Sequence, residues 1–140
     1  MLSSLHHYGE FIYKLPDTYP SIQCFQLILS PRGATVGLLE GLVEFNHGIV
    51  LRVLERLDFA RRRIVYYSYE VRREGELLYW YDPWPHPDDP SLAATYPHHK
   101  HVPPDIKHHR IPASDLSFEH PNLPFLIEEI ERELLATGSK

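Results

Sequence analysis

The sequence predicts a single α+β domain: an antiparallel meander of about five strands, with a C-terminal helix and, on a shorter periodic stretch, an N-terminal helix packed on it. Three observations predict this. Five apolar segments follow one another with the alternation of half-buried strands. The connections between them are short, polar and mostly glycine-bearing, as hairpins require. One amphipathic stretch near the C-terminus supplies the cover that a one-sided sheet needs. A chain of 140 residues fits one domain, spanning 1–140, and at that length about two-thirds of the unfolded surface is buried without staples. With 43% apolar and 24% charged residues the composition is globular rather than disordered.

The elements follow in order. Leu5, Tyr8 and Ile12 recur at helical spacing across Ser4 to Leu15, with Ser3 or Ser4 as the cap. Gly9 counts against this helix, and Pro16, Asp17 and Pro20 end it. Strands are predicted over Ile22 to Leu29, Thr35 to Phe45, Ile49 to Phe59, Ile64 to Arg72 and Glu76 to Asp82. In the third, Ile49, Leu51, Val53, Leu57 and Phe59 share a face, and Glu55 falls among them. In the fourth, Val65, Tyr67, Tyr69 and Val71 share a face. A hairpin closing around Ala60-Arg61 sets Glu55 opposite Tyr67 and Val53 opposite Tyr69. Glu55, Tyr67 and Tyr69 are then a candidate polar site on the sheet face, either a hydrogen-bonded insertion, which is favoured, or a working acid. Pro83 to Pro112 reads as a long connection rich in proline and histidine, and loops of that length carry function or lack order. Asn122 caps a helix to Ala136 whose buried stripe is Leu123, Leu126, Ile127, Ile130 and Leu134. Glu128, Glu129, Glu131 and Glu133 are expected to face water, and Gly138 to follow its end.

Several function classes drop out early. The chain has no Gly-rich phosphate loop, dinucleotide fingerprint or nucleophile elbow. Cys24, the one cysteine, lies in an apolar run and is expected to be a buried, inert thiol. The formal net charge of −5 argues against broad nucleic-acid binding and leaves a local basic site open. No apolar run reaches bilayer length and the N-terminus lacks a signal-peptide core, so a cytoplasmic protein is expected.

The functional signal lies between Tyr81 and His101. Tyr81-Asp82-Pro83-Trp84-Pro85-His86 is followed by Tyr96-Pro97-His98-His99-Lys100-His101, within a chain of ten histidines. Imidazoles are costly to bury unpartnered, so a core has no use for so many. A strand ending in Tyr81-Asp82, then Pro85-His86, then Thr95, Pro97 and His98-His99-Lys100-His101 resembles the TumE-type toxin family of bacterial and archaeal toxin–antitoxin loci. The Tyr67-Ser68-Tyr69 strand and Gly75-Glu76-Leu77-Leu78 also fit. The resemblance runs from about Thr35 to Val102, and more loosely through the C-terminal helix. In that family an arginine often precedes the Tyr-Asp pair. Here the place belongs to Trp80, and Asp88-Asp89 adds an acidic insert. Both features weaken an RNA-cleaving site and point to a specialised or inactive branch.

Three chemical readings attach to these residues. The first is a growth-inhibiting toxin that cleaves RNA without a metal. His98, His99 and His101 supply acid and base, Lys100 the positive charge, and Asp82 orients an imidazole. Tyr81 or Trp84 stacks on a base, and His86 completes the substrate site. The second is zinc or nickel held by His86, His98 and His101, with Asp82; it ranks below the metal-free site. The third is a non-enzymatic binding protein. His108, His109 and Arg110 extend the cluster, whereas Arg61-Arg62-Arg63 reads as a solvated hairpin tip. The resemblance implies a small antitoxin partner, often with a helix-turn-helix, and RNA as a possible target.

Overall fold

The structure is a computed structural model that describes residues 1–136. Its chain order is α1 (Leu5–Tyr13), α2 (Leu15–Thr18), β1 (Ile22–Pro31), β2 (Val36–Phe45), β3 (Ile49–Asp58), β4 (Arg63–Arg73), β5 (Glu76–Asp82), β6 (His99–His101), β7 (Arg110–Pro112) and α3 (Leu123–Ile130). The sheet is a seven-stranded antiparallel meander in sequence order, β1 to β7. The five expected strands stand within a residue or two of their expected bounds. β6 and β7 are additional and lie inside the stretch read as a loop. Three residues each are too few for an alternation to register, and the prolines around them read as breakers.

One face of the sheet is covered and the other is open. The covered face carries Leu39, Ile49, Leu51, Val53, Glu55, Leu57, Tyr67, Tyr69 and Val71, all buried. Tyr8 and Ile12 of α1 join that core, with Leu123, Leu126, Ile127 and Ile130 of α3. The open face exposes Gln26, Ile28, Glu40, Arg52 and Arg56. Cys24 pairs with Glu44 on this open side. It is half-buried rather than buried, because the apolar run around it alternates across the strand. Burial, then hydrogen bonding to Glu44, raises its thiol pKa, which suits an inert cysteine.

The β3–β4 register is the one the alternation predicts: Glu55 faces Tyr67 and Val53 faces Tyr69. A bulge between Arg56 and Leu57 shifts the pairing, so Ile64 is buried and Val65 exposed, contrary to the expected face. Arg61 and Arg62 are exposed at this hairpin's tip. The Ser4 hydroxyl accepts from the His7 amide at 3.1 Å and caps α1 despite Gly9.

The C-terminal helix departs from expectation in three details. Asn122 stands at the helix start but makes no capping bond. Its amide reaches Tyr69 Oη at 3.1 Å and the Ser117 backbone instead. Glu129, expected in water, is 6% exposed and meets Tyr81 and Lys100, because the sheet's last strands extend over that flank of α3. The final turn, Glu131–Leu135, widens into a π-helix, leaving Leu134 only partly buried. Gly138 lies outside the described residues.

Candidate active site on the open sheet face

The site begins with strand alternation. β6 pairs with β5 so that His101 faces Trp80, Lys100 faces Tyr81 and His99 faces Asp82. Trp80, Asp82, His99 and His101 therefore share the open face, and Tyr81 and Lys100 share the covered one. The compact run His98 to His101 is thus divided by its own backbone.

On the open face three groups converge. His99 Nε2 lies 3.1 Å from Asp82 Oδ1, and His101 Nε2 lies 3.2 Å from Asp82 Oδ2. The two Nε2 atoms are 3.0 Å apart. Each ring is held from behind: His99 Nδ1 is 3.1 Å from the Pro97 carbonyl, and His101 Nδ1 is 3.0 Å from the Ile106 carbonyl. A carbonyl only accepts, so each Nδ1 carries a proton and donates it, and both Nε2 atoms turn toward the carboxylate. The rings are 1% and 4% exposed.

Asp82 is fastened too. Trp80 Nε1–H donates to Oδ2 at 2.7 Å, and the Trp84 amide donates to Oδ1 at 2.8 Å. Burial alone would raise its pKa. The contacts with His101 and His99 and the hydrogen bonds from Trp80 and the Trp84 amide outweigh that and hold the carboxyl well below the usual carboxylate range. The Trp80 ring also stacks on His101, centroids 3.7 Å apart.

The rim of the site is more open. The His86 ring lies 5.0 Å from that of His99, edge to face. Burial, then the charge of Arg110, lowers the His86 pKa, so its neutral form prevails at pH 7. Arg110 faces His101 across the β6–β7 ladder, and its buried Nε has no hydrogen-bond partner among the described residues. Trp84 is 65% exposed beside Asp82. Asp89 of the acidic insert is occupied locally: its side chain accepts from the Ser91 amide and hydroxyl at 3.0 and 2.6 Å, capping the turn Pro90–Thr95. A depression of about 480 Å³ on the far half of the sheet, lined by Leu38, Leu54, Arg56 and Val65 among others, holds no histidine.

Several expected site residues stand elsewhere. His98 points to the covered side, where its Nδ1 meets Tyr67 Oη at 2.5 Å and its ring lies against Tyr67 and Phe118. Lys100 pairs with Glu129 Oε2 at 3.0 Å and sits over the Tyr79 ring. Tyr81 is 3% exposed and donates to Glu129 Oε2 at 2.8 Å, so it presents no ring face to a base. Glu55 is fully buried; Tyr8 and Tyr69 donate to its two oxygens at 2.5 and 2.6 Å. It is a satisfied core carboxylate, the favoured of the two sequence readings. The ligand set His86, His98 and His101 does not assemble, since His98 faces away. Sequence reasoning missed Trp80 as a partner of Asp82, and it read Arg110 only as extending the histidine cluster, where the structure makes it a neighbour of His101. Period-two spacing back from Asp82 was the available signal for Trp80.

The family model described as Toxin TumE matches residues 25–134. The chain belongs to the TumE toxin family. No curated protein matches the chain significantly. No solved structure matches it significantly. The TumE match spans β1 through α3, a longer stretch than the resemblance of the histidine run implied. A TumE toxin implies an antitoxin partner. Trp80 orients the carboxylate and covers one imidazole. No helix among the described residues is long and apolar enough to cross a membrane.

Proposed function

We propose that this TumE-family chain slows growth by cleaving RNA at the centre formed by Asp82, His99 and His101. The observation that carries this reading is the convergence of two imidazole Nε2 atoms and a carboxylate, at 3.0–3.2 Å contacts, on the sheet face away from the helices. Transesterification needs a base for the 2′-hydroxyl, charge on the phosphorane and an electrophile at the leaving 5′-oxygen. His86, neutral at pH 7, serves as the base. Arg110, with its uncommitted Nε, meets the non-bridging oxygens. The cation shared by the two Nε2 atoms of the Asp82–His99–His101 centre, a proton or a metal ion, is the electrophile that neutralises the leaving 5′-oxygen, and the exposed Trp84 offers a stacking surface for an unpaired base. The products are a 5′-hydroxyl and a cyclic phosphate. The antitoxin partner is a small protein carrying a helix-turn-helix, encoded by the neighbouring reading frame, and the protein works in the cytoplasm.

Expression without a partner tests this reading. The wild-type chain is expected to arrest bacterial growth and, when purified, to cut single-stranded RNA. His86→Ala, His99→Ala and Arg110→Ala are each expected to lower cleavage about a hundredfold or more, while His6→Ala leaves it unchanged. A wild-type protein that is harmless when produced alone rejects the reading. Unchanged cleavage by all three site variants moves the chemistry elsewhere.

A further inference from the structure

We propose that Asp82, His99 and His101 bind one divalent transition-metal ion, with an open coordination position toward His86 and Arg110. Four features of the site argue for it. First, the tautomers are set: both Nδ1–H groups are donated to backbone carbonyls, of Pro97 and Ile106, which leaves both Nε2 lone pairs bare. Metal-ligating histidines are held in this way, the far nitrogen donating to a carbonyl while the near one binds. Second, the bare pairs and an ionised carboxylate face one another. Two Nε2 atoms at 3.0 Å repel unless a cation lies between them.

Third, the spacing suits an ion. Metal–ligand bonds of about 2.0–2.2 Å at octahedral to tetrahedral angles place neighbouring donor atoms about 3.0–3.5 Å apart. The two Nε2 atoms stand 3.0 Å apart, and Asp82 meets the His99 nitrogen through Oδ1 at 3.1 Å and the His101 nitrogen through Oδ2 at 3.2 Å. Fourth, the support is already in place. Trp80 Nε1–H and the Trp84 amide orient the carboxylate, and both imidazoles are buried and held through Nδ1 by backbone carbonyls. The group forms the densest set of such ligand atoms among the described residues, all within 4.8 Å. Two imidazoles and one carboxylate select a borderline ion of the zinc, cobalt or iron class over calcium or magnesium, which prefer all-oxygen shells. Three protein ligands leave a position for water or a phosphate oxygen, the pattern of a catalytic rather than a structural ion.

The inference stands on the geometry alone and does not rest on RNA being the substrate. It revises the sequence expectation of a metal-free site. It also replaces the expected ligand set, exchanging His86 and His98 for His99.

The test uses the full chain, stripped with a chelator and dialysed. Cobalt(II) is titrated in while visible absorption is followed, and zinc is then used to displace it. Saturable 1:1 binding with d–d bands of a low-coordinate nitrogen–oxygen site is the expected result. His99→Ala and His101→Ala are expected to abolish those bands. Trp80→Phe keeps the stacked ring and removes the hydrogen bond to Asp82, and is expected to weaken zinc binding about 10–100-fold. This second variant keeps the proposal testable should an alanine variant fail to fold. His108→Ala/His109→Ala is the control and is expected to bind as the parent does. Absence of 1:1 binding means that the pair holds a proton instead of an ion, and overturns the proposal. So does binding that survives His99→Ala and His101→Ala, or is lost in the control, since the metal is then adventitious. Binding is read without RNA, so failure of the ribonuclease reading leaves this result unaffected.

Discussion

Glu55 illustrates how a charge-bearing residue comes to serve structure. Its two oxygens accept from Tyr8 and Tyr69, and Asn122 completes the chain by donating to Tyr69. The carboxylate thus joins α1, the sheet and the start of α3. Glu55→Ala strands two buried hydroxyls, and each unsatisfied group costs about 1–3 kcal/mol. A loss on the order of 3 kcal/mol or more is expected in urea unfolding. The pH dependence has a definite sign. Burial raises the Glu55 carboxyl above its ordinary 4.5, and the bonds from Tyr69 and Tyr8 offset this only in part. A raised folded-state pKa means that the folded protein holds the proton more tightly than the unfolded chain. The stability contributed is fully present below about pH 4.5 and is lost as pH rises through the folded value. Measured against Glu55→Gln, the parent should therefore lose stability as pH climbs from about 4.5 toward neutrality. A flat difference across that range would reject the assignment.

At the scale of elements, the last strands hold the site by facing both ways. β6 offers His99 and His101 to the open face and anchors itself through Lys100, which pairs with Glu129 of α3 under Tyr79 and Tyr81. Both partners are largely buried, and breaking a buried pair from one side is costly because the other charge is stranded. Lys100→Met is expected to destabilise by about 3–5 kcal/mol. The chemistry of the open face should survive in whatever fraction stays folded, because Lys100 does not point there. Comparing activity per folded molecule, with circular dichroism as the folding readout, checks this. The β4–β5 hairpin gives a second prediction. Glu74 and Gly75 both have positive φ, +49° and +87°, in a two-residue turn. Asparagine tolerates that geometry better than glutamate. Glu74→Asn is expected to raise stability by up to about 1 kcal/mol, seen as a higher melting temperature. Gly41 allows no such freedom. Its φ is +138°, and an added Cβ would lie 1.9 Å from the Gln26 carbonyl oxygen, so Gly41→Ala should disrupt the β1–β2 pairing.

For the molecule as a whole, core and site are separate. The apolar core lies between the helices and the covered face of the sheet, and the histidine centre lies on the other side. The fold is therefore expected to stand without an ion, unlike that of a zinc finger. Chelated protein is expected to unfold cooperatively. A bound ion should raise the midpoint by mass action, by about 2.7 kcal/mol of stability when free ion is a hundred times the dissociation constant. Scanning calorimetry with and without zinc tests both statements. Collapse of the fold on chelation would show that the ion is structural.

The sequence by itself determined the meander, its first five strands, the β3–β4 register and the terminal helices. It did so because half-buried strands alternate with period two and turns carry their own residue signals. It also located the histidine segment and led to the family, since Tyr81-Asp82 and the run to His101 read as one pattern. Tertiary structure alone decided which of those residues act together. Adjacent side chains of a strand point to opposite faces, so the run His98-His99-Lys100-His101 became two groups once β6 was recognised. Strands of three residues leave no periodic trace in a sequence, and so Lys100 could not be assigned to the core beforehand. The same holds for Glu129. Its helix position reads as solvated, and only the sheet's extension over α3 placed it among Tyr81 and Lys100, where a carboxylate is needed to satisfy a buried ammonium and a phenol.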